Sequence, residues 1–245
     1  MFLLFDVDGT LTLPRNPIGD KMKEILYLLK QKGHTIACVS GSDLPKLKEQ
    51  LLDSIEYFDL VFSQNGLASY RNEHNTLIPF HTQSILKHLG EDVYGHIVNT
   101  VLNILSLIKL PIKRSHFIEL RSGLINVCPI GRECTQQERE DFEQYDKIHH
   151  IREEIVSELK LKLPDLSLRY SIGGQISIDV FPEGWDKTYC LQFIPKDTHI
   201  YFFGDRIFQG GNDYELAINP RVNAMKVENC GETYYLLEKI LERIN

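Results

Sequence analysis

Phe2-Leu3-Leu4-Phe5-Asp6-Val7-Asp8-Gly9-Thr10-Leu11-Thr12 is the stretch on which the reading of this chain turns. Residues 2–5 are apolar on both faces of an extended backbone. That is the pattern of a buried strand in a parallel sheet, not of a half-exposed one. Asp6 ends the run, Val7 is apolar, and Asp8 is charged again. Residues two apart share a face, so both carboxylates point into one space. Gly9 lets the chain leave the strand sharply. Two carboxylates held close repel each other unless a cation lies between them or one keeps its proton. Taken alone, an Asp-x-Asp pair reads equally as two solvated acids in a turn.

Outward from this strand, Asp20 with Lys23-Glu24 opens a helix with an apolar stripe at Ile25, Leu26, Leu28 and Leu29, ended at Lys32-Gly33. Residues 35–39 form a second strand ending in Ser40-Gly41-Ser42-Asp43, where Ser42 or Asp43 caps a helix through Leu52. Residues 60–62 form a third strand, and Asn65-Gly66 marks a tight turn. Strand and helix in alternation is the doubly wound signature. The pattern changes near His81. Residues 86–110 read as one long helix. A hairpin follows about Ser122-Gly123, then a charged helix over 135–161 opened by a Thr135/Glu138 capping box, and a second hairpin about Gly173-Gly174. The doubly wound pattern resumes with a helix from Lys187 through Leu191, a strand over 200–203 and a terminal helix to Ile244. The expected fold is therefore α/β. Residues 1–81 and 185–245 make a mostly parallel, Rossmann-like core, and residues 82–184 make an inserted α+β cap.

Composition bounds the function. The chain has 245 residues and a net charge of −7, which argues against non-specific nucleic-acid binding. An anionic ligand then needs a local basic pocket. No apolar stretch reaches membrane-spanning length. The chain opens directly on a core strand, which does not support a cleavable signal and leaves room for a trimmed N-terminus. The five cysteines are odd in number and form no CxxC, so the expected setting is a reducing one. His149-His150 are neighbours on a helix and face different directions, which argues against a shared metal ion.

Four features are expected at the carboxyl ends of parallel strands, where open α/β sheets bind ligands: Asp6 with Asp8, Ser42, Lys187 and Asp205. Each has an ordinary alternative: a cap for Ser42, a solvated first-turn residue for Lys187, an exposed turn acid for Asp205. The full string DVDGTLT, with the other three features in order, resembles the motifs of the haloacid dehalogenase superfamily of phosphotransferases. The resemblance implies that Asp6 is a nucleophile attacking phosphorus and Asp8 a general acid and base. A carboxylate nucleophile needs no partner base. It needs a divalent cation, because an anion must approach an anionic phosphate. The resemblance assigns Ser42 and Lys187 to the phosphoryl oxygens, and an Mg²⁺ site to Asp6, Asp205 and the backbone carbonyl of Asp8.

FDVDGTLT-x-PR, FIE-x-R, N-V-x-PIGR, GGQIS-x-DVFP-x-GWDK and YFFGD-x-x-x-x-GGND carry the likeness further. They look like the eukaryotic-type phosphomannomutases over nearly the whole chain, including the cap. That family interconverts mannose 6-phosphate and mannose 1-phosphate, is primed by a hexose 1,6-bisphosphate, is cytosolic, feeds GDP-mannose synthesis and glycosylation, and forms a homodimer through its caps. Its sugar-phosphate contacts fall here on Arg15, Arg121, Arg132, Arg139, Ser177 and Asp179. Arg suits bidentate phosphate recognition better than Lys does. In the family's second cation loop the corresponding positions here are Asn219 and Val222, and Val222 offers only its backbone carbonyl. Nothing in this residue set selects mannose over glucose. Two other readings compete: a sugar-phosphate phosphatase on the same scaffold, with water as final acceptor, and a catalytically dead dimeric binding module, against which the intact Asp6, Asp8, Lys187 and Asp205 argue.

Overall fold

The structure is a computed structural model that describes residues 1–242. Two compact units are built from three chain segments: Met1–Thr82 with Gly184–Asn245, and Gln83–Glu183.

In the first unit β1 (Phe2–Phe5) is a central strand. It pairs in parallel with β2 (Thr35–Val39) on one side and with β10 (Ile200–Gly204) on the other. The sheet has the order β11-β10-β1-β2-β3-β4-β5, with β3 at Leu60–Ser63, β4 at Ala68–Glu73, β5 at Thr76–Thr82 and β11 at Val222–Lys226. The first five strands of that order are parallel, while β4 and β5 run antiparallel as a hairpin. Its turn falls on His74 and Asn75, both at positive φ (53° and 61°), as a twisted two-residue hairpin requires. Asn65 and Gly66 lie in a short 3₁₀ turn that reverses the chain between β3 and β4.

Alternation along β1 decides what it meets. Leu3, Phe5 and Val7 pack with the helices α1 (Asp20–Gln31), α2 (Leu44–Leu51) and α8 (Cys230–Glu242). Phe2 and Leu4 pack on the other face, against Cys190 and Leu191 of the segment Lys187–Phe193 and Leu216 of α7 (Tyr214–Ala217). Asp6 continues the even-numbered face and so points toward the segment that begins at Lys187. α1 docks by its buried Met22, Ile25, Leu26 and Leu29, each such side chain contributing about 1.5–3 kcal/mol. α2 is capped by Asp43, whose side chain accepts the Lys46 N–H; Ser42 does not cap it. It stops at Leu51 because Leu52 adopts φ 51°. The expected helix is the 3₁₀ helix Lys187–Phe193 capped by Asp186, so Lys187 opens a helix and does not end a parallel strand. α8 is described to Glu242, and the expected end at Ile244 lies outside the described residues.

The second unit carries a four-stranded antiparallel sheet in the order β6-β7-β9-β8, with β6 at Ile118–Leu120, β7 at Ile125–Val127, β8 at Leu168–Gly173 and β9 at Ser177–Pro182. Two helical expectations need correction. Residues 86–110 are not one helix but α3 (Ile85–Leu89) and α4 (Glu91–Leu107), broken at Gly90 with φ 79°. The charged stretch is likewise two helices, α5 (Gln136–His149) and α6 (Ile151–Lys162), broken at a left-handed His150. The capping box of Thr135 and Glu138 is present. The second break has a tertiary cause. Asp146 accepts from the Arg152 N–H at 2.9 Å and its Nε at 2.7 Å, while the Arg152 guanidinium also reaches the Gly174 carbonyl at 3.0 Å. Both side chains are 9 % exposed, so this pair ties the helix junction to the β8–β9 turn. Among the described residues no helix is long and apolar enough to cross a membrane.

Candidate active site

The strand ends of the first unit surround a cavity of about 290 Å³ lined by Asp6, Asp8, Arg15, Ser42, Lys46 and Asp205, among others. Lys187, 1 % exposed, lies against Asp6. Its ammonium donates to Asp6 Oδ1, and to Asp213 Oδ1 at 2.6 Å. One oxygen each of Asp6, Asp205 and Asp213 lies within 4.8 Å of the others. Three carboxylates thus cluster beside one buried ammonium, which is hydrogen-bonded to two of them. Burial pushes the Asp6 carboxyl up to about 7, against the pull of Lys187, and Asp213 adds to the push. Asp205 is raised by burial and then by Asp213. Burial alone lowers Lys187, but the charges and hydrogen bonds of Asp6 and Asp213 outweigh it and hold its pKa above the usual range. Asp205 Oδ1 is buried with no hydrogen-bond partner. An under-neutralised all-oxygen set with an orphaned carboxylate atom fits a hard divalent cation.

Asp8 faces the same cavity but is engaged differently. Its Oδ1 accepts from the Arg15 N–H at 2.7 Å and from Gln50 Nε2 at 2.8 Å. The Asp8 side chain is not part of the three-carboxylate group, which takes in Asp213 instead. The motif GGND holds Asp213, yet sequence reasoning gave it no role. Nothing in the sequence marked Gln50, which lies on an apolar helix face.

Gly9 makes the approach of Asp205 possible. It has φ +85°, and a Cβ there would fall on Asp205 Oδ2 and lie 2.8 Å from its Cγ. Gly9→Ala adds a left-handed penalty of about 1–2 kcal/mol, which lowers Tm by about 2–8 °C, and displaces Asp205. Thermal unfolding in EDTA checks this; an unchanged Tm would show that the turn relaxes freely.

The other expected substrate residues lie in the second unit. Strand register puts Glu119 opposite Asn126, Asn126 opposite Asp179 and Asp179 opposite Ser171, one row across four strands. Asn126 is buried; its Nδ2 donates to Asp179 Oδ1 at 2.6 Å and its Oδ1 accepts from Arg132. Glu119 Oε2 accepts from Arg121 at 2.9 Å and lies 3.0 Å from Arg132 Nε. The Arg121 hydrogen bond holds Glu119 below the usual carboxylate range, and the charges of Arg121 and Arg132 add to this. Arg139 donates to the Arg132 carbonyl at 3.1 Å. Ser177 shares the Asp179 face of β9, between buried Ile176 and Ile178. Asn219 Oδ1, at the candidate second cation loop, accepts from the Arg221 N–H at 3.1 Å.

A family model described as eukaryotic phosphomannomutase matches residues 22–243. The chain belongs to the eukaryotic phosphomannomutase family. Phosphomannomutase 1 of Dictyostelium discoideum is 53% identical over 222 residues, covering 89% of this chain and 87% of its own. The phosphomannomutase of Drosophila melanogaster is 46% identical over 247 residues, with 99% and 96% covered. Solved structures share the fold at low identity. A truncated Plasmodium falciparum IMP-nucleotidase superposes with a TM-score of 0.64 at 19% identity, covering 98% of this chain and 68% of that one. A trehalose-6-phosphate phosphatase related protein gives 0.54 at 14%, covering 99% and 98%. Among phosphomannomutases, then, this chain places its paired Asp6 and Asp8 on the end of a central parallel strand and after it, with a buried Lys beside the first.

Proposed function

We propose that this chain interconverts mannose 6-phosphate and mannose 1-phosphate through an aspartyl phosphate on Asp6, primed by a hexose 1,6-bisphosphate. The observation that carries the reading is Asp6 itself: a buried carboxylate at the end of a central strand, hydrogen-bonded by Lys187 and sharing its cavity with Asp8. Asp6 attacks phosphorus. Lys187 has three N–H donors; Asp6 and Asp213 use two, which leaves one for a phosphoryl oxygen, with the Ser42 hydroxyl as its companion. Asp6, Asp205 and Asp213, with the Asp8 backbone carbonyl, would hold Mg²⁺, whose charge when bound offsets the repulsion between anionic nucleophile and anionic phosphate. Asp8 gives a proton to the departing sugar oxygen and takes one from the attacking hydroxyl.

A mutase must also hold a second phosphate on the same sugar. Arg121, Arg132 and Arg139 are the groups for it, with Asp179 and Ser177 for sugar hydroxyls and Arg15 for the phosphate at the Asp6 cavity. Each charge-assisted bond is worth about 1.5–3 kcal/mol. Glu119 already holds two of the guanidiniums, so a phosphate meets them arranged in advance. A homodimer through the second unit and a cytoplasmic role supplying GDP-mannose synthesis belong to the same reading; the exposed Leu102 and Leu107 of α4 support the former.

The test is turnover of mannose 1-phosphate with bisphosphate present, following mannose 6-phosphate and free phosphate separately. Isomer is expected, with slow phosphate release. Arg132→Ala is expected to raise KM about 10–100-fold for both sugar phosphates, since each phosphate position occupies that site in turn. Fast phosphate release with no isomer would select the phosphatase. Binding without turnover would select the binding module.

A further inference from the structure

Gln50 is a polar residue buried on an apolar helix face. It lies on α2 between Leu47 and Leu51, both fully buried, and is itself 3 % exposed. Only half of its amide is satisfied: Nε2 donates to Asp8 Oδ1 at 2.8 Å, while Oε1 is buried without a partner. A buried amide with one end unpaired calls for a reason, and the bond made by its other end supplies one. Its main chain works toward the same place, because the Gln50 carbonyl accepts the Ile18 N–H at 2.7 Å and so fixes the loop that follows Asp8. The second donor to Asp8 Oδ1 is the Arg15 N–H, from a residue held in that loop at φ 62°. With Oδ1 occupied by two donors, the Asp8 carboxyl has one orientation, and Oδ2 is the oxygen left to exchange a proton.

We infer that Gln50 is the positioning residue that aims Asp8 at the sugar oxygen. The inference rests on the reading of Asp8 as general acid and base given above. When the phosphoenzyme forms, an Asp6 oxygen bonds to phosphorus, the bond from phosphorus to the sugar oxygen breaks, and that oxygen takes the proton from Asp8. In return, the sugar hydroxyl gives its proton to Asp8 as its oxygen bonds to phosphorus and the Asp6–phosphorus link breaks. Gln50 touches neither substrate nor phosphorus in this scheme. Its contribution is confined to the proton transfer, and that gives it a signature.

The experiment compares two phosphoryl donors. A hexose 1,6-bisphosphate expels a sugar oxygen that must be protonated. Acetyl phosphate expels acetate, which needs no proton. Gln50→Met keeps the volume of the side chain and removes the donor; Gln50→Glu sets a carboxylate against Asp8; Asp8→Asn is the reference. Phosphoenzyme formation from the bisphosphate is expected to fall about 10–100-fold in Gln50→Met, a part of the 10²–10⁴ that general acid catalysis supplies. The rate from acetyl phosphate is expected to stay at the wild-type value. Gln50→Glu should show the same split. Equal losses with both donors, or none with either, while Asp8→Asn still separates them, would overturn the inference and leave Asp8 in its role. Should Asp8→Asn itself fail to separate the donors, the role of Asp8 is wrong and the inference falls with it.

Discussion

Asp6→Asn is expected to lose turnover by a factor on the order of 10⁶ in kcat, the scale seen when a nucleophile is deleted. The amide has nearly the shape of the acid but cannot form an acyl phosphate. Incubation with labelled hexose 1,6-bisphosphate should leave no hydroxylamine-sensitive label on the protein, where wild type retains it. The variant should still fold. Burial already pushes the Asp6 carboxyl up to about 7, so its charge is poorly accommodated there, and Lys187 keeps Asp213 as a partner. Label on Asp6→Asn would move the nucleophile to another residue and undo the assignment of the whole cluster.

Lys187→Met is expected to give the largest loss of stability. The ammonium is 1 % exposed and is the cation that Asp6 and Asp213 share. Removing one partner of a buried pair costs about 3–5 kcal/mol, because the other is left as an uncompensated charge. For a chain of this size that is a fall in Tm of about 6–20 °C. The pH dependence follows from the sign of the shift. Asp6 has a native pKa above its ordinary 3.8. Between the two values the native state binds more protons than the unfolded state, so the carboxylate costs stability as pH rises and returns it as pH falls. Loss of Lys187 enlarges that effect, and the deficit of the variant against wild type should shrink between pH 8 and pH 5. Asp213→Asn added to Lys187→Met should recover part of the loss. A variant with wild-type Tm at pH 8 would mean that the ammonium does not compensate the buried carboxylates.

Much of this arrangement can be read from residue order. An apolar run ending in Asp6 fixes a buried strand, and the alternation of Phe2, Leu4 and Asp6 fixes the face on which the carboxylate emerges. The hairpins of the second unit announce themselves by Ser122-Gly123 and Gly173-Gly174. Other features are set by partners far away in the chain. His150 breaks a helix because Asp146 and Arg152 pair behind it, and neither residue signals that to a local pattern. Gly90 sits within a run whose apolar spacing continues on both sides, so the spacing alone reads through it. Asp213 looks like any acid in a glycine-rich turn until Lys187 is placed beside it. Gln50 is silent for the opposite reason. Its neighbours Leu47 and Leu51 make the helix face apolar, and one amide among leucines carries no pattern. The row from Glu119 through Asn126 to Asp179 needs the register of strands that are not adjacent in sequence.

The sheet order also has a consequence for biogenesis. β1 lies between β2 and β10, so one flank of it is supplied by a strand far later in the chain. Asp6 and Lys187 are 181 residues apart. At about 5–20 residues per second, a ribosome takes roughly 10–40 s to travel between them. Through that interval the nascent chain presents an apolar strand with an open edge, while residues 83–183, a compact unit of their own, emerge. Chaperone demand during synthesis should therefore fall on β1 and β2 until β10 has been made.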